Sequence, residues 1–168
     1  MQFPPVDAPK QSHGHAVADA LAGSAAGLAL GRLGSLASRI ASVQGKDVPA
    51  PFTRPRVVVV AGKHGVAARS VSAWTEDAGD VQAEQLRAGS GPAHAAARLA
   101  GATVRFIGDY LDTPTGAIDV EPATSPEVFD AALAAGAEVA DNEIDSGADL
   151  IIPGDIGVGN TTVAAAAY

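Results

Sequence analysis

The sequence predicts an α/β protein, in which a parallel sheet has flanking helices in a Rossmann-like three-layer arrangement. Three short apolar runs carry this prediction: RVVVV at 56–60, ATVRFIGDY at 102–110 and ADLIIP at 148–153. Helical patterns lie between them, and this alternation is typical of parallel α/β domains. The valine run is continuous rather than alternating, as expected for a strand that is buried on both faces.

Two domains are expected along the 168 residues. Residues 1–55 are predicted to form an N-terminal helical segment and a Pro-rich connector, and residues 56–168 the parallel α/β domain. The sheet domain is expected to be truncated, and so incomplete at its C-terminus. The reason is that the chain stops at Tyr168, when its final helix has run for barely two turns.

The composition narrows the classes of partner. The net charge is -8 with no basic cluster, so nucleic acid is not an expected partner. The absence of cysteine excludes disulfides, cysteine zinc sites and thiol nucleophiles. Asp19 interrupts the apolar stretch from Ala16 to Gly31 and no signal peptide is recognised, so we expect no membrane span and a cytoplasmic protein. His13 and His15 are too few for a metal site, and we assign no metal and no cofactor.

In the N-terminal segment, residues 15–44 are predicted to be helical, after a Pro-rich start at 1–12 that is expected to be extended or mobile. Gly45 is expected to end this helix. KDVPAPFTRP at 46–55 is the connector. The apolar residues that recur at helical spacing on one face are Leu33, Leu36, Ala37, Ile40 and Val43.

In the sheet domain, a turn is predicted at AGKHG, residues 61–65, and helices over 80–88 and 92–100. Ser125 and Pro126 form a typical N-cap and first-turn proline, and the helix that they open is expected to run to about Ser146. Asn160 is expected to begin a further helix. The apolar side of the helix after Pro126 consists of Val128, Ala132, Ala135 and Val139.

Ligands of parallel α/β sheets bind at the carboxyl ends of the strands. Here these ends are AGKHGV, GDYLDTP and GDIGVGN. The last resembles a Walker A phosphate loop with Asn160 in place of the lysine, and it fails the dinucleotide fingerprint because Thr162 stands at the third glycine. Gly157 and Gly159 still permit a tight turn, and the helix that follows offers its first N–H groups to an anion. The alternative is an ordinary strand–turn–helix connection.

Four blocks of the sequence, in this order, resemble one enzyme family: LGRLGSLASRIASVQG, VVVVAGKHGVAARSVSAW, GAIDVEPATSPEVFDAAL and GDIGVGNTTVAAA. The family is that of the nicotinate-nucleotide:dimethylbenzimidazole phosphoribosyltransferases of cobalamin assembly. The last two blocks are the most specific. The resemblance spans about residues 28–167.

The resemblance implies an α/β enzyme that moves phosphoribose from nicotinate mononucleotide to 5,6-dimethylbenzimidazole and that acts as a homodimer when full length. It also implies that the general base is a glutamate beyond Tyr168, that Asp155 has a supporting role, and that this chain corresponds to the N-terminal half of the family's sequence. The alternative is a non-catalytic fragment that binds a nucleotide or a partner. The implied substrate-binding residues are Asp155, Gly157, Gly159, Asn160, Thr161, His64, Ser72 and Gln85.

Several points stay open at the level of the sequence. Asp155 has the alternative role of capping its turn, and His64 that of holding loop backbone. Whether Glu84 or Gln85 matches the family's glutamine is undecided, as is the effect of Lys63 where many members have aspartate. The preferred azole, and whether the chain is naturally truncated or a partial sequence, are also undecided.

Overall fold

The structure is a computed structural model, and it describes residues 3–167. The chain divides into two compact units, of which the first ends at Pro51 and the second begins at Phe52. Tyr168 and the first two residues of the predicted extended start at 1–12 lie outside the described residues.

The first unit contains three helices: α1 (Gln11–Ala22), α2 (Ala25–Leu28) and α3 (Arg32–Gln44). The prediction that residues 15–44 are helical is therefore confirmed except at two breaks, residues 23–24 and 29–31. Ser24 has an extended backbone and its hydroxyl accepts a hydrogen bond from the Gly27 amide at 3.0 Å, so it caps a new helix instead of continuing the old one. Gly31, with a φ of 51°, interrupts the helical backbone a second time, just before α3. Gly45 ends α3 in the left-handed conformation, as predicted.

Helix α1 packs on α3 through small residues. Gly14 is buried, and a side chain there would meet the Ser42 hydroxyl and the carbonyl oxygen of Ser38. His13 and His15 lie on α1, which begins at Gln11, so the prediction of an extended or mobile start was wrong for residues 11 and 12. The apolar face of α3 is left largely uncovered within this unit, with Leu33 64% and Val43 66% exposed.

The second unit is built on three parallel strands: β1 (Pro55–His64), β2 (Thr103–Thr115) and β3 (Leu150–Ile156). Their order is β2-β1-β3, which puts the valine run in the centre of the sheet and explains why it lacks polar alternation. Strand β1 continues to His64, so the predicted turn at 61–65 was wrong in all but its last residue. It stays extended there because Gly62 pairs with Tyr110 and His64 with Thr115, across two irregularities in the register.

Helices flank this sheet, so the predicted fold class is confirmed. A 3-10 helix (Gly65–Arg69) follows β1. The helices after it are α4 (Ala78–Arg87), α5 (Gly91–Leu99), α6 (Pro126–Asp145) and α7 (Asn160–Ala167). On one face, Ala83 of α4 packs against Ala61 and Leu111.

On the opposite face of the sheet, a cavity of about 790 Å³ separates Val58 and Val60 from α6. The side of α6 that the sequence predicted to be apolar lines this cavity: Val128, Ala132, Ala135 and Val139. The helix begins as predicted, because the Ser125 hydroxyl accepts a hydrogen bond from the Val128 amide at 3.4 Å. The helix is therefore capped at its start but stands off from the middle of the sheet.

Near its C-terminal end, α6 is tied to the sheet by Glu143, which is only 3% exposed. Its Oε1 atom accepts a hydrogen bond from Arg105 at 2.8 Å, and its Oε2 atom lies 2.7 Å from Nε of Arg56. The second contact is an ion pair without hydrogen-bond alignment. One buried carboxylate thus links α6 to both β1 and β2.

Candidate functional site

A chain of polar side chains crosses the carboxyl ends of all three strands. His64, the last residue of β1, lies with Nδ1 3.2 Å from the Thr115 hydroxyl and with Nε2 2.9 Å from Oδ1 of Asn160. The amide nitrogen of Asn160 donates a hydrogen bond to the carboxylate of Asp155. The sequence therefore identified three members of this group, and the structure brings them together.

Asp155 is exposed, whereas His64 and Asn160 are half-buried. The carboxylate of Asp155 is thus accessible at the edge of the sheet, while the two side chains behind it are partly buried. This placement agrees with neither alternative stated for these residues: Asp155 is bonded to Asn160 rather than to its own turn, and His64 holds a side chain rather than loop backbone.

The glycines of the loop have separate steric roles. A side chain at Gly157 would collide with Oδ1 of Asn160 and with the carbonyl oxygen of Gly62, 2.5 Å from its β-carbon. Gly159 is buried and has a φ of 92°, a conformation that residues with a β-carbon rarely adopt. Gly157 is therefore required by close packing against β1, and Gly159 by the backbone path into α7.

Helix α7 begins at Asn160, as predicted, and its first turn closes on Gly159. The carbonyl oxygen of Gly159 accepts hydrogen bonds from the amides of Thr162 and Val163, at 3.0 and 3.1 Å. The two preceding amides, of Asn160 and Thr161, belong to the positions of a helix that have no acceptor within it. Thr161 is exposed. The first turn of α7 thus offers donors that suit a phosphate or carboxylate group.

Two further predicted binding residues lie on the α4 side of the sheet. Ser72 is half-buried, and its hydroxyl accepts a hydrogen bond from the Trp74 amide at 3.1 Å, which makes a local turn. Gln85 is exposed on α4, and a side chain at Gly91 would lie 3.4 Å from its Oε1 atom. The neighbouring Glu84 pairs with Arg87 at 2.5 Å. Ser72 thus takes part in a local turn, and the side chain of Gln85 lies close to Gly91.

Lys63 forms an ion pair with Asp80 of α4, with Nζ 2.9 and 3.0 Å from the two carboxylate oxygens. Both side chains are partly exposed. Sequence reasoning did not foresee this pair, because strand β1 and helix α4 carry no pattern that aligns the two residues.

Two other contacts at the strand ends were also missed from the sequence. Thr115 completes the polar chain to His64, and its position after the polar run GDYLDTP was the only signal for it. Glu121 accepts a hydrogen bond from the Ala117 amide at 3.2 Å, so its carboxylate closes the loop between β2 and α6. Ser70 adopts a left-handed backbone with a φ of 56°, alone in this respect among the described residues other than glycine.

Within residues 3–167, no cluster of three or more His, Cys, Asp or Glu side chains is arranged to hold a metal ion. No helix in the same range is long and apolar enough to cross a membrane.

A parallel sheet whose carboxyl edge carries a glycine loop, an exposed carboxylate and a helix N-terminus is an arrangement that α/β proteins commonly use to bind phosphate-bearing ligands. Comparison with known proteins narrows this class. A family model described as phosphoribosyltransferase matches residues 4–168. The chain therefore belongs to this phosphoribosyltransferase family, and the resemblance identified in the sequence is confirmed.

Relatives with the name nicotinate-nucleotide–dimethylbenzimidazole phosphoribosyltransferase include those of Corynebacterium efficiens and Mycobacterium ulcerans. They are 44% and 42% identical in alignments of 147 and 151 residues, and each match covers 82% of this chain. A crystal structure of the enzyme of this name from Thermus thermophilus is similar with a TM-score of 0.78 and 32% identity, over 92% of this chain and 51% of that one. The chain spans about 40% of the length of the two relatives.

Proposed function

We propose that the protein transfers phosphoribose from nicotinate mononucleotide to 5,6-dimethylbenzimidazole, and so forms α-ribazole 5'-phosphate and nicotinate in cobalamin biosynthesis. Its membership of the family and the names of its relatives support the substrates. The observation that carries the proposal is the sheet edge at which Asp155 and the first turn of α7 lie beside the end of β1.

The transfer reaction needs hydrogen-bond donors that hold the nucleotide phosphate and a base that accepts a proton from the azole. A ring nitrogen of the azole forms a bond to the anomeric carbon, while the bond from that carbon to nicotinate breaks and its electron pair stays with nicotinate. The proton on the other azole nitrogen must pass to a base, which the resemblance expects to be a glutamate beyond Tyr168. The amides of Asn160 and Thr161 suit the nucleotide phosphate, and Asp155 suits the azole or the ribose. Asp155 is thus assigned a supporting role, as the resemblance implies.

Ser72 and Gln85 are proposed to border the azole pocket. The hydroxyl of Ser72 accepts a hydrogen bond within a local turn, so azole binding would require it to change or share this partner. Gln85 is exposed on α4. We therefore assign nucleotide binding to the loop from Gly157 to Thr161, and azole binding to Ser72 and Gln85.

Binding is tested by calorimetry on the full 168-residue chain, with nicotinate mononucleotide and with ATP. Because Asn160 replaces the lysine that holds terminal phosphates, we expect the mononucleotide to bind more tightly. Gly159→Ala should weaken its binding by about 1–3 kcal/mol, the scale of one lost buried hydrogen bond.

The matched control is Gly101→Ala. Gly101 also has a positive φ, of 67°, but no atom lies within 4 Å of a β-carbon there. The variant thus carries a similar backbone cost far from the loop, and it should lower stability without changing affinity. Equal or tighter binding of ATP, or equal losses of affinity in both variants, would contradict the proposal.

Activity is followed as nicotinate release in the presence of dimethylbenzimidazole, in the full-length enzyme, because the resemblance places the general base beyond Tyr168. Binding of the mononucleotide without release would support the alternative, a non-catalytic nucleotide-binding chain. That alternative is favoured by one observation, namely that the chain spans about 40% of its relatives' length. The family resemblance also supports a homodimer of the full-length enzyme, which light scattering of the same samples would test.

A further inference from the structure

We propose that His64 and Asn160 are positioning residues, which together fix the orientation of the Asp155 carboxylate. The proposal rests on the proposed function for its consequence, because Asp155 must contact a substrate for its orientation to matter. The hydrogen-bonded chain itself does not depend on that function. It runs from Thr115 through His64 and Asn160 to Asp155.

The donor and acceptor of each hydrogen bond in this chain of side chains follow from Asp155, at one end of it. An ionised carboxylate only accepts, so Asn160 must turn its NH₂ group towards Asp155. Its Oδ1 atom then faces Nε2 of His64, which must carry a proton to donate at 2.9 Å. The opposite amide orientation would place an oxygen against the carboxylate and an NH₂ group against the Nε2–H group. The orientation of Asn160 is thus determined by both of its neighbours.

The tautomer of neutral His64 follows from the same argument. With its proton on Nε2, the ring presents an unprotonated Nδ1, which accepts from the Thr115 hydroxyl at 3.2 Å. That hydroxyl has one proton and a second possible acceptor, the Gly116 carbonyl oxygen at 3.4 Å. The shorter contact is to the imidazole. Thr115 can therefore donate to the tautomer that Asn160 requires.

The residues of this hydrogen-bonded chain belong to strands and a helix, whose backbone has little conformational freedom. His64 and Thr115 are register partners of adjacent strands, and Asn160 is the first residue of α7. Gly157 keeps the space open, since a side chain there would occupy the position of the Asn160 oxygen. Asp155 is exposed and would otherwise sample several rotamers. A fixed amide beside it holds one of them, which is what a group that orients a reacting molecule requires.

The test measures the side chains directly, by NMR of the full 168-residue chain labelled with ¹⁵N and ¹³C. Magic-angle-spinning spectra serve if the chain associates. At a pH at which the ring is neutral, His64 should be the Nε2–H tautomer by its ¹⁵N shifts. Asp155 should occupy a single χ1 rotamer. His64→Leu and Asn160→Ala should each convert Asp155 to an average of several rotamers.

Two variants separate positioning from general structure. His64→Gln retains a donor for the Asn160 oxygen and should restore the single rotamer. His94→Leu removes a histidine that bonds only within its own helix, to the carbonyl oxygen of Ser90, and should leave Asp155 unchanged. A single Asp155 rotamer in His64→Leu and Asn160→Ala, or an Nδ1–H tautomer of His64 in the unmodified chain, would overturn the proposal.

The functional consequence has its own readout. In the nicotinate-release assay, His64→Leu should lower the turnover rate on the order of tenfold to a hundredfold, while KM for the mononucleotide changes little. If the unmodified chain neither binds nor turns over the mononucleotide, the proposed function fails, and the NMR result still decides whether the positioning chain exists. A normal turnover rate in His64→Leu, with activity in the unmodified chain, would contradict the consequence.

Discussion

His64 and Asn160 are 96 residues apart in the sequence, yet Nε2 of His64 lies 2.9 Å from Oδ1 of Asn160. The contact joins the end of the central strand β1 to the start of α7, across the sheet edge that carries Asp155. Any change that separates β1 from β3 therefore also takes the candidate site apart. Stability of the sheet and integrity of the site are linked in this unit.

Replacing Glu143 with glutamine should strongly destabilise the sheet domain. The substitution removes the buried charge that Arg56 and Arg105 share, and it leaves two partly buried guanidinium groups without a counter-ion. We expect a loss of about 3 kcal/mol in the free energy of unfolding, measured in urea. Glu84→Gln is the control, because the exposed pair with Arg87 should contribute less than about 1 kcal/mol. Similar losses in both variants would contradict the assignment of a buried triad.

Ser70→Gly should stabilise the protein. Ser70 is held in the left-handed region, with a φ of 56° and ψ of 34°, where a β-carbon costs energy and glycine does not. The gain should be about 0.5–1 kcal/mol after the greater freedom of glycine in the unfolded chain is included. Ala68→Gly, at an exposed position of the preceding 3-10 helix, should instead lower stability. Thermal unfolding of both variants distinguishes relief of strain from a general effect of glycine.

Asp149→Asn should make stability less sensitive to acid. The hydrogen bond from the Thr53 amide, together with those from the Arg54 amide and the Thr53 hydroxyl, lowers the pKa of Asp149 below its ordinary value of 3.8. The folded state therefore favours the ionised form, and this contribution is present above pH 3.8 and lost as the pH falls through the lower, folded pKa. Denaturation curves at several pH values should show unmodified protein and variant converging at the acid end. Parallel curves down to about pH 2 would exclude the effect.

Ala135→Leu should stabilise the sheet domain by filling part of the cavity beneath α6. Ala135 lies on the side of the helix that lines the cavity, so the added methyl groups would be removed from water. The expected gain is about 1–2 kcal/mol. Ala134→Leu is the matched control, because Ala134 is exposed and a leucine there gains little burial. Chemical denaturation of the pair should show a gain only for Ala135→Leu.

The helices and strands of the sheet domain were predictable where they depend on residues that are close together in the sequence. Ser125 and Pro126 mark the start of α6 because capping depends on residues within one helical turn. The continuous valine run marks β1 because it is the central strand, with a partner strand along each of its edges. The end of β1 was not predictable, since Gly62 and His64 stay extended only through pairing with Tyr110 and Thr115. The breaks within 15–44 were missed because helical periodicity continues through the caps that interrupt it.

The sequence predicted where the candidate site lies, but not the hydrogen bonds between its residues. The rule that ligands bind at the carboxyl ends of parallel strands located His64, Asp155 and Asn160 at one edge. Which of them touch depends on strand order and register, and two irregularities in the pairing of β1 with β2 bring Thr115 opposite His64. Neither feature leaves a trace in the spacing of residues along the chain. Sequence alone could therefore nominate the residues but not the direction of their hydrogen bonds.

The position of β1 between its two partners has a consequence for synthesis on the ribosome. Its start is held by hydrogen bonds from Thr53 to Asp149, 96 residues later in the chain. At about 5–20 residues per second, roughly 5–20 s pass between the synthesis of the two positions. During that interval the valine run has one edge without a partner strand, and β-branched segments of this kind are prone to pair with other chains. The nascent chain is therefore most exposed to aggregation before β3 emerges from the exit tunnel, and a chaperone that covers β1 would act in this window.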